Sequence, residues 1–544
     1  MKQSLHKHRY MYTKIVFNLV IGVSLSLSVF GQSDRVIKPE SRISEALGFI
    51  DYFYVDDVDA NDLANEAIVA MLEKLDPHSV YIPKDEVEDA NQQINGSFVG
   101  IGVRFQIIKD TLMIVNPILG GPSEKLGIRA GDQIIAVEGK SIAGVGIKNS
   151  DVRNQLLGEL GTKVNVTIKR KNEVKPLEYT IKRDKIPVNS VVSNYMIDEK
   201  IGYIKLTSFS RTTVDEVRDA IKELKSKGME DLIFDLQGNG GGLLYAAKVI
   251  ADEFLDNNKL IVYSEGRRQP RQEYIADEKG LFEKGRLVML IDESSASASE
   301  ILSGAVQDWD RGLIVGRRSF GKGLVQRPID LSDGAQIRLT IARYFTPSGR
   351  FIQKPYEDSE EYQKDKVNRY LRGEYMHKDS IKLPDSLLFR TKISAREVYG
   401  GGGIMPDIFV PLDTTGINDL FRTIARKGNM NSFGIEYVNT HRDQLKKEFP
   451  DFDTYKKNIE AYYPQVEKAF LSYLSTENPD LEYDEDELEE CRYLIKKRLQ
   501  GFIAQNLWDY DRFYEIYNET NEILLKAIEV LKTKEYDKSK LAKH

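Results

Sequence analysis

Between residues 186 and 355 the chain alternates short apolar runs with amphipathic ones, and this alternation limits the fold more than any other feature. Ile201 to Leu206, Asp231 to Leu236 and Leu287 to Ile291 read as strands. Thr213 to Lys227 reads as a helix with Val214, Val217, Ala220, Ile221 and Leu224 on one face, and Leu243 to Phe254 as another. Strands and helices in turn imply a largely buried α/β sheet.

Two polar residues stand just beyond strands of that sheet. Ser297 lies in Ser294-Ser295-Ala296-Ser297-Ala298-Ser299-Glu300, after Leu287 to Ile291. Lys322 lies in Gly321-Lys322-Gly323-Leu324-Val325-Gln326, after Leu313-Ile314-Val315. A serine needs a base to become a nucleophile. A lysine serves as that base only when burial lowers its pKa enough to leave the amine neutral. A serine at a helix N-terminus also lies in a field that favours developing negative charge. The Ala298 N–H is then one oxyanion donor. The second is expected from the turn Asn239-Gly240-Gly241, at Gly241 with Gly240 next, because glycine lets backbone approach a substrate closely.

Other readings of these residues are weaker. Ser297 could be only a helix N-cap, with Glu300 as its capping-box acid. Gly316 to Lys322 matches the first seven positions of a P-loop, but the eighth, which should be Ser or Thr, is Gly323. Of six histidines, none has the local context of a triad, and His78 after Asp76-Pro77 is expected to fix a turn. No spacing of His, Cys, Asp or Glu suggests a metal site, and no cofactor is expected.

Asp292 through Gln326 resembles the core of the carboxyl-terminal processing peptidases, or tail-specific proteases: Ser295-Ala296-Ser297-Ala298-Ser299-Glu300-Ile301, then Gly321-Lys322-Gly323-Leu324-Val325-Gln326. The resemblance extends to Asp76-Pro77-His78-Ser79, Asp235-Leu236-Gln237-Gly238-Asn239-Gly240-Gly241-Gly242, Phe345-Thr346-Pro347-Ser348-Gly349-Arg350 and Gly403-Ile404-Met405-Pro406-Asp407. It implies a crotonase-like α/β protease core, Ser297 as nucleophile, Lys322 as general base and Gln326 as the residue that orients the lysine.

Residues 96–185 change to short strands and turns and resemble a PDZ domain, with Gly100-Ile101-Gly102-Val103 as the carboxylate-binding loop. Successive backbone N–H groups there can hold a C-terminal carboxylate, and the next strand edge can pair with an extended peptide. One departure stands out. Leu157 falls where relatives carry an arginine tied to communication between PDZ and active site, and Arg153 is one helical turn earlier.

The remaining segments complete a multidomain α/β chain. Residues 32–95 are expected to be helical, 186–412 to be the protease core with a charged insertion at 356–398, and 413–544 to be a separate C-terminal helical domain, with helices at Tyr455 to Leu474, Glu485 to Ala504 and Asp511 to Leu531. Gly400 to Gly403 reads as a hinge or turn. Residues 1–31 carry a basic stretch followed by the apolar run Ile15 to Phe30, the order of an export signal. The run is short for a membrane span, which needs ~20 apolar residues; left uncleaved, it would tether the chain to a membrane. The expected location is the periplasm or the outer face of the inner membrane.

A net charge of −7 over 544 residues argues against a nucleic-acid surface. The single cysteine, Cys491, allows no internal disulfide and reads as an inert thiol. The sequence therefore reads as an exported serine endopeptidase that captures substrates by their free C-termini. The alternative is a PDZ-bearing scaffold with an inactive protease domain. Homo-oligomerisation stays open.

Overall fold

The computed structural model describes residues 38–541, apart from 119, 172, 257 and 540. The export-signal reading falls outside them. The described chain divides after Leu75 into two compact units. In the first, Pro39–Phe53 and Ala60–Glu73 are helices. The first begins with a proline, whose fixed φ suits a first turn. The second is capped by the Asp59 carboxylate, which accepts from the N–H groups of Asn61 and Asp62.

The second unit begins with Asp76. Its first element corrects the expectation of helix throughout 32–95: Val80–Ile82 is a strand, paired antiparallel with Gln336–Phe345. The helix Val87–Asn95 follows and ends at Gly96 in the left-handed conformation.

The PDZ-like segment is an antiparallel sheet in the order Val103–Ile108, Thr111–Pro117, Gln133–Val137, Lys163–Lys169, Leu177–Lys182. Lys163–Lys169 alternates buried and open positions, so Val164, Val166 and Ile168 face a core shared with Leu112, Ile114 and Ile134. The run expected as one strand from Val99 to Ile107 is two. Ser97–Gly100 pairs with Asp184–Pro187, the chain turns at Ile101-Gly102, and Val103–Ile108 joins the sheet. Gly102 makes that turn at φ +72°, where a Cβ would press on Ile186 and Pro122.

The region expected to be the protease core is built on a six-stranded sheet, ordered Val191–Met196, Ile201–Leu206, Asp231–Asp235, Leu287–Ile291, Leu313–Gly316, Ile408–Phe409. The first pair is antiparallel and the rest are parallel. Four of these strands are buried along their whole length, as a parallel sheet covered on both faces requires. Helices Thr213–Ser226, Leu244–Asp252 and Ala298–Asp308 cover one face. A second sheet, antiparallel, carries Leu324–Asp330 against Gln336–Phe345.

The other face of this sheet is covered by a late helix. Ile523, Leu524, Ala527, Val530 and Leu531 of helix Glu522–Lys532, with Tyr536, pack on Tyr203, Ile233, Val288, Leu290 and Val315. Arg286 Nη1 donates to the Leu531 carbonyl at 2.6 Å, and the Leu287 N–H donates to the Tyr536 hydroxyl at 3.0 Å. The separate domain expected over 413–544 is therefore corrected at its end. Only Asp419–Arg426, Asn429–Glu448, Phe452–Glu477, Glu485–Leu507 and Tyr510–Tyr517 enclose a core of their own, where Cys491 lies buried. The helix expected from Asp511 to Leu531 is also two. The chain breaks at Asn518–Thr520, and Asn521 caps the next helix by accepting from the Leu524 N–H.

Leu524 is 1% exposed. Leu524→Ala should cost about 2–5 kcal/mol of stability, as a cavity in a packed core does, read as a lowered midpoint of urea unfolding. A change under about 0.5 kcal/mol would contradict the packing described.

Candidate active site

The strand Leu287–Ile291 delivers a tight turn, Asp292 to Ala296, before Ala298–Asp308 begins. Asp292 shapes the turn, its carboxylate taking the N–H groups of Ser294 (2.9 Å), Ser295 (3.0 Å) and Gly238 (3.0 Å). Ser297 stands at the helix mouth with φ +56° and ψ −112°. Few non-glycine residues hold a positive φ, and such strain costs about 1–3 kcal/mol. Glu300 does occupy the capping-box position and takes the Ser297 N–H at 2.8 Å. Its own N–H donates to the Ser297 carbonyl at 2.9 Å.

Glu300 reaches further than a cap. One carboxylate oxygen accepts from the N–H groups of Ser297 (2.8 Å) and Lys322 (2.9 Å). The other accepts from the Gly321 N–H (2.7 Å) and the Ser319 hydroxyl (2.5 Å). Glu300 is 0% exposed, and burial pushes its carboxyl up to about 7 despite these four donors. The Tyr344 hydroxyl ties the same two segments from the carbonyl side, 2.5 Å from Lys322 O and 3.1 Å from Ser297 O. Ser297 and Lys322, 25 residues apart in the chain, are thus held side by side through their backbones.

The Lys322 amine donates to Gln326 Oε1 at 2.8 Å, and Gln326 Nε2 donates to the His78 carbonyl. No hydrogen bond joins Lys322 Nζ to the Ser297 hydroxyl among the described residues. Burial lowers the Lys322 pKa, Asp76 and Glu300 pull it back up, and Arg338 lowers it. Burial, then the nearby Lys322, lowers the His78 pKa to about 4, so its imidazole is neutral at pH 7. Sequence reasoning gave His78 a turn and nothing more. Its Asp-Pro-His-Ser setting was a signal for the site, but its contact with residue 326 was not visible.

Gly241 presses on the serine. A Cβ there would stand 2.8 Å from Ser297 Cβ and 2.9 Å from Ala298 N, at a φ of +100°. The expected donor role of Gly241 is corrected, because its N–H is donated to Asn239 Oδ1 at 2.9 Å. The N–H groups of Gly240 and Ala298 have no hydrogen-bond partner among the described residues. The turn itself is stitched to the serine segment. The Asn239 carbonyl accepts from the Ala296 N–H (3.0 Å) and the Ser299 hydroxyl (2.9 Å).

The remaining motifs are scaffolding around this centre. Asp235 takes Tyr203 OH (2.6 Å), Lys205 Nζ (3.0 Å) and the Gln237 N–H (2.7 Å). Arg350 pairs with Asp308, at the end of the serine helix, at 2.5 Å with both side chains fully buried. Asp407 accepts from the Ile314 N–H and pairs with Arg396. Gly401 and Gly403 donate to Phe351 and Ile352 carbonyls, so Gly400 to Gly403 is a pinned turn and not a hinge. The insertion is part of the site's wall. Its helix Ser359–Leu371 sends Lys366 to the Ser294 hydroxyl (2.9 Å) and Arg369 to the Ser319 and Arg318 carbonyls (3.0 and 2.6 Å).

In the PDZ-like segment, a cavity of about 160 Å³ lies between Val103–Ile108 and Asn149–Leu156. It is lined by Phe98, Ile101, Val103, Phe105, Val152 and Leu156, with Leu157 and Arg153 at its side. The N–H groups of Ile101 and Gly102 have no hydrogen-bond partner among the described residues. Arg153 faces Asp89 on Val87–Asn95, at 3.8 Å.

Comparison with known proteins decides the family. The sequence pattern of peptidase family S41 matches residues 200–359, and that of the PDZ domain matches 99–181. A family of unknown function matches 420–509. The chain is 36% identical to a carboxy-terminal-processing protease of Bartonella bacilliformis, over 63% of this chain and 81% of that one. It is 34% identical to the carboxy-terminal processing protease CtpA of Bacillus subtilis, over 62% and 74%. The chain belongs to the carboxy-terminal processing proteases. It is a serine-type peptidase with a PDZ domain, and the scaffold alternative gives way. Among solved structures, a photosystem II D1 C-terminal processing protease is 27% identical, covering 68% of this chain and 92% of that one at a TM-score of 0.35. As a member of this family, the chain takes peptides as substrates.

Removing the Glu300 carboxylate leaves four donors without their acceptor. Glu300→Ala should therefore destabilise the peptidase by about 3 kcal/mol or more, seen as a lower melting temperature. Glu300→Gln should fold but turn an NH2 group toward two of the donors, lowering kcat. Wild-type kcat in Glu300→Gln would refute the clamp.

Proposed function

We propose that this peptidase cuts peptide bonds with Ser297 as nucleophile and Lys322 as general base, on substrates captured by their C-termini. The observation that carries the reading is the joint clamp of Glu300 and Tyr344, which sets a strained serine beside a half-buried lysine. Gln326 accepts one amine hydrogen, which leaves the lone pair of a neutral Lys322 for the Ser297 proton after a side-chain rotation. The serine oxygen attacks the scissile carbonyl as Lys322 takes its proton. The N–H groups of Ala298 and Gly240 take the oxyanion, each worth ~3 kcal/mol. The lysinium then protonates the leaving amine, and water hydrolyses the acyl-enzyme by the same route.

Capture rests on the free Ile101 and Gly102 N–H groups, which suit a terminal carboxylate. The side chain of the last substrate residue then enters the cavity beside Phe105, Val152 and Leu156, which favours an apolar tail. The N-terminal basic and apolar segment supports export, with action outside the cytoplasm.

Ser297→Ala and Lys322→Arg should each lose about 10³-fold or more in kcat/KM on a peptide with an apolar C-terminus. Arginine keeps the charge but cannot give it up. The pH dependence has a definite sign. Lys322 must be neutral and Glu300 ionised. kcat/KM therefore rises with pH as Glu300 deprotonates near 7, and rises again as Lys322 deprotonates below its ordinary 10.5. A rate that falls between about pH 7 and about pH 9 would sink the assignment.

A further inference from the structure

The place of the base depends on one carbonyl far away in the chain. Gln326 has two ends, and a carbonyl can only accept. The His78 carbonyl therefore takes the NH2 end and turns Oε1 toward Lys322. Whatever fixes His78 fixes the direction of the amine.

His78 is held from two sides. On one side, the Asp76 carboxylate takes the His78 N–H (2.8 Å), the Ser79 N–H (3.0 Å), the Ser79 hydroxyl (2.7 Å) and the Thr340 hydroxyl (3.1 Å). Thr340 pairs with Gln326 across the two strands. On the other side, His78 Nε2 lies 2.6 Å from the Tyr362 hydroxyl, with the rings edge to face. Tyr362 is 7% exposed, on the insertion helix Ser359–Leu371, just beyond the residues matched to family S41. Its ring is steadied in turn by Lys354, whose ammonium sits 4.1 Å from the ring centre and 2.8 Å from Asp365.

We infer that Tyr362 and His78 are positioning residues of the peptidase, acting through Gln326 to aim the Lys322 amine. The inference rests on the dyad proposed above. The charged and titratable groups that face this cluster are Asp76, Glu300 and Arg338 around Lys322, Asp76, Lys322 and Lys354 around His78, and Glu300, Asp365 and Asp76 around Tyr362. Because the imidazole stays neutral above about pH 5, its bond to Tyr362 keeps one form across the working range.

The test uses the full chain and a peptide with an apolar C-terminus. Wild type, Tyr362→Phe, Gln326→Ala and the double variant are compared in kcat, KM, melting temperature and the pH profile of kcat. Tyr362→Phe keeps the ring and should fold. It should lower kcat about tenfold with KM within about twofold, and move the rise that reports Lys322 to lower pH, because the ammonium loses a well-placed acceptor, while the rise near 7 set by Glu300 stays. In the Gln326→Ala background the same change should cost nothing further, because the relay is already cut. His78→Gln, which keeps a polar atom near Nε2, should restore part of the loss seen in His78→Ala.

A wild-type kcat in Tyr362→Phe, or losses that multiply in the double variant, would overturn the inference. So would a melting temperature that falls while the Lys322 rise stays put. Ser297→Ala is run beside them. If it retains turnover, the dyad fails and this inference with it. If it is inactive, a negative result counts against the relay alone.

Discussion

One buried carboxylate organises this enzyme. Glu300 collects hydrogen bonds from the serine segment and from the lysine loop, and both Ser297 and Lys322 donate their N–H groups to the same oxygen. A carboxylate in a dry interior is costly unless its acceptor sites are filled. Here four donors fill them, and the cost of burial still shows in a carboxyl that titrates near 7. The clamp therefore joins geometry to protonation. The elbow that strains Ser297 and the loop that buries Lys322 share a single charge, and Tyr344 closes the arrangement from the other side.

Around this centre the chain recruits distant pieces. Asp76 to Ile82 comes from before the PDZ domain, adds a strand to the antiparallel sheet and brings the His78 carbonyl to Gln326. The insertion helix comes from beyond the S41 match and braces the Ser294 hydroxyl and the Ser319 carbonyl. The C-terminal helices touch the PDZ domain through polar contacts. Gln106 meets Asn431 and Ser432, Asn439 lies beside Met113, and Lys109 pairs with Glu477 at 2.9 Å. An exposed pair of that kind contributes little stability, about 0–1 kcal/mol.

Much of this was legible in the residues. Apolar runs five or six residues long gave the parallel strands because such strands are buried on both faces. The serine and lysine motifs followed directly from their place after those strands. What escaped was long-range or very short. Val80–Ile82 has three residues and a partner some 250 positions later, so no local period could mark it. Glu300 was visible as a capping acid, but its hold on Ser319, Gly321 and Lys322 exists only once the loop folds back. Tyr362 sat in a charged stretch that read as an insertion. Two misreadings had local signals. Asn239, two residues before Gly241, is the type of side chain that captures a nearby N–H. Asn521, after Asn518-Glu519-Thr520, is a cap former in the middle of an expected helix.

The helix Glu522–Lys532 has a consequence in time. Every strand it covers is synthesised long before it, and until it arrives Tyr203, Ile233, Val288 and Leu290 face water. This face of the sheet is therefore closed late, by a stretch near the end of the described residues. A polypeptide cut short before Glu522 would keep Ser297 and Lys322 but leave this apolar surface bare, and exposed patches of that kind drive association.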